Sequence, residues 1–209
     1  WGVKRGDLIG LISDNRSEWL ASDLAILTLG AADVPRGRDA MPYEISFILN
    51  FTEARFCFVE NAVQLRKIVN LLDKLPALKH LIVMDQEFDQ KMADDVTKPE
   101  DVEILLYRNL VKEGRTLLND RNIAKFIEDE RQKGTEDETA TIIFTSGTTG
   151  DPKGVILTHK NFAYQLEAVP KLIEKLAPGQ RWLSVLPVWH AFERILPWAD
   201  RRPNLEPSE

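Results

Sequence analysis

Residues 8–35 read LIGLISDNRSEWLASDLAILTLGAADVP, and the pattern within this stretch decides the fold. The apolar run Leu8–Ser13 predicts a strand, and the helical spacing of apolar residues behind it predicts a helix with Asn15 as its cap. Gly30 is expected to end that helix before a second strand at Ala31–Pro35. The stretch therefore predicts a strand, a helix and a strand in succession. The expected buried face of the helix carries Trp19, Leu20, Leu24 and Leu27.

The same alternation continues toward the C terminus. Pro42 suits the first position of a helix, and an apolar helical stripe runs on from it to Asn50. A strand, a helix and another strand are predicted after it, at Phe56–Val59, Val63–Leu75 and Leu81–Met84. Alternation of this kind favours an α/β fold with a mainly parallel sheet flanked by helices. The stripe in the second helix consists of Ile45, Ile48 and Leu49.

The second half of the chain has a less regular pattern. Asp85–Glu103 is acidic and polar, which indicates a surface excursion, and Leu105–Lys133 has a charged and largely helical pattern. Two short apolar runs then predict strands on either side of a glycine-rich segment. The remaining expected elements are the strands Thr141–Phe144 and Val155–Leu157, a helix at Asn161–Leu176, a turn at Pro178–Gly179 and a strand at Trp182–Leu186.

Composition excludes several classes of function. The net charge is -6 and the basic residues are scattered, so no positive patch for nucleic acid is expected. Cys57 is the only cysteine, which excludes an internal disulfide, and its apolar neighbours predict a core residue rather than a reactive thiol. No apolar run approaches the roughly 20 residues that span a bilayer. We therefore expect a cytoplasmic protein.

The segment between the two late strands has the composition of a phosphate-binding loop. It runs Thr145-Ser146-Gly147-Thr148-Thr149-Gly150-Asp151-Pro152-Lys153-Gly154. Its glycines let successive backbone N–H groups converge on an anion, its hydroxyls donate to phosphate or bind magnesium, and its lysine adds a positive charge. The alternative, a turn without a ligand, is disfavoured because so many consecutive residues suit phosphate.

Two common nucleotide-binding motifs do not fit this loop. A Walker A motif needs Gly-Lys followed by Ser or Thr, whereas here Lys153 precedes Gly154. The dinucleotide fingerprint Gly-x-Gly-x-x-Gly is also missing from the loop. The loop instead resembles the signature of the adenylate-forming superfamily, which includes acyl-CoA synthetases and firefly luciferase.

A second stretch, Leu186-Pro187-Val188-Trp189-His190-Ala191-Phe192-Glu193-Arg194, is similar to the segment of long-chain fatty acyl-CoA synthetases that borders the acyl and nucleotide pockets. The resemblance implies that His190, Phe192 and Glu193 bind substrate. Taken alone, His190 is as readily explained by packing within an aromatic cluster. Residues near Asn15, Trp19 and Gly30 also resemble this clade, but structural roles explain them.

The resemblance implies an ATP-dependent long-chain fatty acid–CoA ligase. Such enzymes join a carboxylate to ATP, giving acyl-AMP and pyrophosphate, and then transfer the acyl group to the CoA thiol. ATP and Mg²⁺ are the implied ligands of the loop, with Thr145 at the metal, and a fatty acid substrate implies contact with a membrane surface. The implied nucleotide-binding residues are Thr145, Ser146, Gly147, Thr148, Thr149, Gly150, Lys153 and Gly154.

Alternatives and boundaries follow from the same reasoning. The chain could instead belong to another acyl or aryl adenylate-forming enzyme, or to a protein that binds a nucleotide or a partner without catalysis. We expect residues 1–194 to form part of the large N-terminal domain of the synthetase fold, with a divergent polar tail at 195–209 and with the C-terminal domain absent. On that expectation the chain alone is inactive, and no catalytic residue is assigned.

Overall fold

The computed structural model describes residues 2–145, 151–172, 186–191 and 193–194. Its strands are β1 (Leu8–Ile12), β2 (Ala32–Arg36), β3 (Phe56–Val59), β4 (His80–Val83), β5 (Glu103–Leu106), β6 (Thr139–Thr145) and β7 (Lys153–Thr158). Its helices are α1 (Ser17–Thr28), α2 (Pro42–Phe51), α3 (Ala62–Val69), α4 (Gln90–Asp94), α5 (Tyr107–Leu117), α6 (Arg121–Gln132) and α7 (His159–Leu172), and a short 3₁₀ helix lies at Leu72–Lys74.

The strands form one seven-stranded sheet in the order β5-β4-β3-β1-β2-β6-β7. Every neighbouring pair from β5 to β6 is parallel, and β7 alone is antiparallel to its neighbour β6. The predicted α/β fold with a mainly parallel sheet is therefore confirmed. Because parallel strands end at the same edge, β1, β2 and β6 present their carboxyl ends together.

Alternating side chains of β1 explain why helices cover both faces of the sheet. Ile9 and Leu11 lie in clusters with α1 residues, whereas Ile12 lies in the cluster formed with α2 and α3. Successive strand residues point to opposite faces, so an apolar run without polar alternation is buried on both sides. Cys57 is fully buried in the same cluster as Ile12, between the sheet and helices α2 and α3, as predicted.

Helix α1 differs from its prediction at both its cap and its buried face. Arg16, not Asn15, occupies the N-cap position, and the side chain of Asn15 bonds elsewhere. Of the four predicted core residues only Trp19 is fully buried, because the helix turns two polar residues inward, one of them for an ion pair described below. Gly30 has a φ of 70°, which confirms it as the helix stop. The other buried residues of α1 are Ser22, Asp23 and Ile26.

Strand β5 lies where the pattern predicted surface chain and helix. Ile104 and Leu106 are buried and β5 pairs with β4, so sheet pairing overrides the helical pattern that begins near Leu105. The segment before β5 also packs against the core, since Phe88 is buried and α4 interrupts the expected excursion. The predicted helix Val63–Leu75 ends at Val69. Residues 173–185, which include the predicted turn and most of the last predicted strand, lie outside the described residues.

Helices α5 and α6 occupy the region for which a charged and largely helical pattern was predicted. Asp120 separates them, because its side chain accepts a hydrogen bond from the Asn122 backbone N–H and caps α6. Neither helix contains a fully buried residue, so this charged region lies at the surface. Within the described residues, no helix is long and apolar enough to cross a membrane.

Candidate functional site

The two ends of the predicted phosphate-binding loop meet in a β-hairpin. Thr145, the last residue of β6, pairs with Lys153, the first residue of β7. The Thr145 hydroxyl donates to the Lys153 carbonyl oxygen at 3.4 Å. This places both residues at the carboxyl edge of the parallel sheet, the edge where open α/β sheets bind their ligands. The predicted phosphate-binding residues Ser146, Gly147, Thr148, Thr149 and Gly150 lie outside the described residues.

An aromatic cluster supports the base of this hairpin. Phe144 is buried and meets the rings of Phe47 and Phe51 of α2 edge-on, at centroid distances of 6.4 and 6.0 Å. Gly154 lies opposite Phe144, and a Cβ atom there would come within 2.9 Å of the Ile142 Cγ2 atom and 3.3 Å of the Phe144 ring. A glycine is therefore required at this position for the ring to lie across the neighbouring strand.

Helix α2 also contacts the far side of the loop through its first turn. The Tyr43 hydroxyl donates to the Asp151 carboxylate at 2.5 Å. This hydrogen bond to a carboxylate raises the pKa of Tyr43 above its ordinary value. Both described ends of the loop thus contact α2. The β6 end does so through the ring of Phe144, and the β7 end through the hydrogen bond from Tyr43 to Asp151.

The described ends of the loop present a hydroxyl and a cation at the protein surface. Thr145 and Lys153 are both exposed, and no ion pair between described residues involves Lys153. An exposed ammonium next to a hydroxyl, with β-strand backbone on either side, fits an anion such as phosphate. Gly154 is likewise exposed at the same end of β7.

Metal-binding residues are scarce in the part of the chain that the structure describes. No group of three or more His, Cys, Asp or Glu side chains is arranged there to hold a metal ion. The exposed Thr145 hydroxyl is an oxygen donor of the kind that Mg²⁺ accepts, so this residue fits a role as one ligand of a metal ion.

The second predicted site stretch lies along the same edge of the sheet. We call residues 186–191 and 193–194 the docking segment. The Asn15 side chain, just after β1, bonds to its backbone at two points, and the Trp189 ring lies over Gly37, just after β2. Since β6 is the other neighbour of β2, the fold brings the docking segment to the edge where the loop begins.

The predicted substrate-binding residues of the docking segment differ in exposure. His190 is exposed, and its backbone N–H donates to the Pro187 carbonyl oxygen at 2.9 Å, which closes a turn. Glu193 is buried, with 2% of its surface exposed. Phe192 lies outside the described residues. Of the three, His190 is therefore the residue that the described structure presents to solvent.

The sequence reasoning missed Arg194, which is fully buried. Its guanidinium forms a bidentate pair with Asp23 of α1, and its Nη2 atom donates to Asp33 of β2 at 2.9 Å. The rings of Trp19 and Phe162 lie 5.5 and 5.1 Å from the guanidinium carbon. This ion triad fixes the end of the docking segment in the protein interior.

Burial and charge act against each other within the triad. Burial raises the pKa of Asp33, and the nearby Arg194 only partly offsets that effect. Burial also disfavours the charged guanidinium, but the carboxylates of Asp33 and Asp23 outweigh it and raise the pKa of Arg194. A sequence signal for this triad did exist, because Asp33 lies inside an apolar strand and Asp23 lies one turn beyond Trp19 on the buried face of α1.

Comparison with known proteins identifies relatives of this chain. A chloroplastic long-chain-fatty-acid–[acyl-carrier-protein] ligase of Arabidopsis thaliana is 34% identical over 196 residues, which cover 92% of this chain and 26% of that protein. The long-chain-fatty-acid–CoA ligase 5 of Rattus norvegicus is 30% identical over 196 residues, covering 90% of this chain and 26% of the relative. The chain thus spans about a quarter of the length of these relatives.

The fold is also shared with solved structures. An anthranilate CoA ligase crystallised with anthranoyl-AMP superposes with a TM-score of 0.70 at 21% sequence identity, covering 94% of this chain and 34% of that one. At this identity the similarity concerns the fold. The model of the family described as AMP-binding enzyme matches residues 1–199, nearly the whole sequence. The chain therefore belongs to the family of AMP-binding enzymes.

Proposed function

We propose that this chain supplies the phosphate-binding loop and part of the acyl site of an ATP-dependent long-chain fatty acid–CoA ligase. One observation carries the proposal: the hairpin that ends at Thr145 and Lys153 shares a sheet edge with the docking segment, in a chain of the AMP-binding family. The loop and the docking segment are separated by more than thirty residues in sequence, and the described ends of the loop lie at the same edge of the sheet as the docking segment.

The proposed reaction has two steps. A carboxylate oxygen of the fatty acid attacks the α-phosphorus of ATP, the bond from that phosphorus to the bridging oxygen breaks, and pyrophosphate leaves. The sulfur of CoA then attacks the acyl carbon, the bond to AMP breaks, and the thioester forms. In both steps the leaving group gains negative charge, so fixed donors at the phosphates lower the barrier.

Three described loop residues have a proposed part in the first step. Lys153 holds the phosphates as a point charge, and Gly154 lets the β7 backbone approach them. Magnesium, when bound, would neutralise charge on the phosphates, with Thr145 as one ligand. The undescribed hydroxyls and N–H groups of Ser146–Gly150 are proposed to complete the phosphate contacts. His190, Phe192 and Glu193 are proposed to line the acyl side.

The identity of the acyl acceptor has two candidates. We propose CoA, but the Arabidopsis relative at 34% identity is named for transfer to acyl carrier protein. In both cases the attacking group would be a thiol. A fatty acid substrate, rather than an aryl acid, is supported by the long-chain names of both relatives.

A substrate panel tests the proposal in the full-length protein. Pyrophosphate release is measured with ATP, Mg²⁺ and straight-chain acids from acetate to octadecanoate, together with benzoate and anthranilate. Burial of each added methylene contributes about 0.8 kcal/mol, so KM is expected to fall about fourfold per methylene until the pocket is filled. A preference for aryl acids would favour the alternative adenylate-forming enzyme, and no pyrophosphate with any acid would reject the proposal.

Two further comparisons refine the assignment. CoA and acyl carrier protein are offered separately in the second step, and thioester formation identifies the acceptor.

The Lys153→Ala variant is expected to raise KM for ATP about tenfold or more, since a charged hydrogen bond contributes about 1.5–3 kcal/mol. Lys160→Ala is the matched control, because Lys160 is also exposed but lies at the start of α7. Equal KM values for ATP in the two variants would contradict the role of Lys153.

A further inference from the structure

The docking segment is held at its first residues by the side chain of Asn15. The Asn15 Nδ2 atom donates to the Leu186 carbonyl oxygen at 2.7 Å, and its Oδ1 atom accepts from the Val188 N–H at 2.7 Å. One side chain thus bonds the backbone on both sides of Pro187. This arrangement replaces the helix-capping role that the sequence suggested for Asn15.

The middle of the docking segment packs on residues of β1 and α1 and on residues that directly follow β2 and β4. Val188 is buried in a cluster with Leu11, Trp19 and Met84. The Trp189 ring lies so close to Gly37 that a Cβ atom on Gly37 would come within 2.6 Å of the indole nitrogen. This contact leaves no room for a side chain at residue 37 while the ring is in place.

The far end of the docking segment is fixed by Arg194, through the ion triad with Asp23 and Asp33. The Arg194 N–H also donates to the His190 carbonyl oxygen at 3.3 Å. His190 therefore stands between two anchors, Asn15 on one side and Arg194 on the other. The side chains that hold the segment from outside, Asn15, Asp23 and Asp33, all come from the first 40 positions of the chain and are far from His190 in sequence.

We propose that Asn15 is a positioning residue that, together with Arg194, fixes His190 and its neighbours in place at the acyl site. The proposal rests on the function proposed above. A site residue on a short turn needs such support, because small displacements of positioned groups reduce rates strongly. Without the Asn15 amide the docking segment keeps its buried anchor but gains freedom at the end that leads to His190.

The exposure of Asn15 separates this role from a role in folding. Asn15 and Leu186 are exposed, so water can satisfy the Leu186 carbonyl oxygen when the amide is removed, and the N–H of the buried Val188 is the group that loses its partner. The fold should therefore tolerate its loss, whereas the geometry of the site should not. Arg194 does not allow this separation, because it is fully buried with its carboxylate partners.

The test uses the full-length protein and compares Asn15→Ala with Asn122→Ala. Asn122 is an exposed asparagine on α6 and serves as the matched control. The Asn15→Ala variant is expected to lower kcat/KM for the fatty acid about tenfold while KM for ATP stays within twofold. Its thermal midpoint should lie within about 2 °C of the wild-type value. The control should match the wild type in all three measurements.

A second variant keeps the test informative. Asn15→Asp retains the acceptor for the Val188 N–H but loses the donor to Leu186, so its defect should go in the same direction as that of Asn15→Ala. Unchanged kcat/KM in both variants would overturn the proposal, and so would a loss of activity that accompanies a thermal midpoint lowered by more than about 5 °C. An inactive wild type would reject the proposed function itself, which distinguishes that failure from a failure of the positioning role.

Discussion

The buried triad yields the sharpest prediction about stability, because it places one guanidinium between two carboxylates. Arg194, Asp23 and Asp33 are all fully buried, and the Oδ2 atom of Asp33 has no hydrogen-bond partner among the described residues. Replacing Arg194 by Met would leave two buried carboxylates without their cation. Removal of one partner from a buried pair costs about 3–5 kcal/mol.

The Asp33→Asn substitution should have a much smaller effect. The amide that it introduces keeps an oxygen that can accept from Arg194, and the substitution leaves a balanced pair of Arg194 and Asp23. Loss of one buried negative charge should stabilise the folded variant, whereas the new buried amide donor, which lacks a partner, should destabilise it. The free energy of unfolding at neutral pH should therefore stay within about 1 kcal/mol of the wild-type value. The two substitutions therefore differ although they affect the same triad.

The pH dependence provides a second distinction. The pKa of Asp33 is raised in the folded protein, so the folded state binds the proton more tightly than the unfolded state. The contribution of Asp33 to stability is then fully present below its ordinary pKa of 3.8 and is lost as pH rises through the raised folded value. The Asp33→Asn variant lacks this loss, so its stability relative to wild type should increase as pH rises from about 4 to 7.

Thermal unfolding followed by circular dichroism measures both effects. For a chain of this size each kcal/mol shifts the midpoint by about 2–4 °C, so Arg194→Met should unfold about 6–20 °C lower than wild type. Arg38→Met is the control, since Arg38 forms an exposed ion pair with Asp14 at 2.7 Å and should change stability by less than about 1 kcal/mol. Similar midpoints for Arg194→Met and Arg38→Met, or a larger loss for Asp33→Asn than for Arg194→Met, would show that Arg194 does not neutralise two buried carboxylates.

Three further substitutions or reactions test individual contacts. Gly154→Ala should lower the unfolding free energy by about 1–3 kcal/mol, because the new methyl meets Ile142 and Phe144, and urea unfolding that matches wild type would contradict this contact. Gly30→Ala should cost at least about 1–2 kcal/mol, since its φ is 70° and the new methyl would also overlap the ion-paired Arg5 guanidinium, and the same urea assay checks it. Cys57 should resist thiol reagents in the native protein and react after unfolding, because burial raises the pKa of its thiol, and rapid native labelling would disagree.

The sequence predicted the first half of the sheet well because its signals are local. The apolar runs of β1, β2 and β3 lie next to signals that determine local structure within a few residues. These signals are a glycine, a proline and a helical stripe of apolar residues. Gly30 and Pro42 occupy the positions that their backbone preferences dictate. Such elements do not depend on distant partners.

Features that depend on distant partners were not predicted. Strand β5 has four residues beside a strong helical pattern, and only its pairing with β4 makes it a strand. The antiparallel direction of β7 follows from the hairpin geometry of the loop rather than from the apolar pattern of its residues. In α1, Asp23 is buried in place of expected apolar residues because it pairs with Arg194. This partner lies 171 residues away in sequence, so no local pattern indicates the pair.

The candidate site shows the same division. The composition of the loop was readable from consecutive residues, and the hairpin places its described ends where a ligand edge is expected. The role of Asn15 could not be read, because an asparagine before a helix is usually a cap and its actual partners are more than 170 residues away. For Arg194 the sequence carried only an indirect signal, because arginine is rarely buried without paired carboxylates and the two acidic residues that pair with it, Asp23 and Asp33, lie more than 160 residues away.

The identity of the nucleotide products shows whether the protein is an AMP-forming ligase. The full-length protein is incubated with ATP, Mg²⁺, CoA and hexadecanoate, and the products are separated and quantified. We expect AMP and pyrophosphate in equal amounts, together with hexadecanoyl-CoA, and none of these without the acid. Formation of ADP and phosphate, or no AMP with any carboxylic acid of the panel, would contradict the assignment of Thr145–Gly154 as the phosphate-binding loop of an AMP-forming ligase.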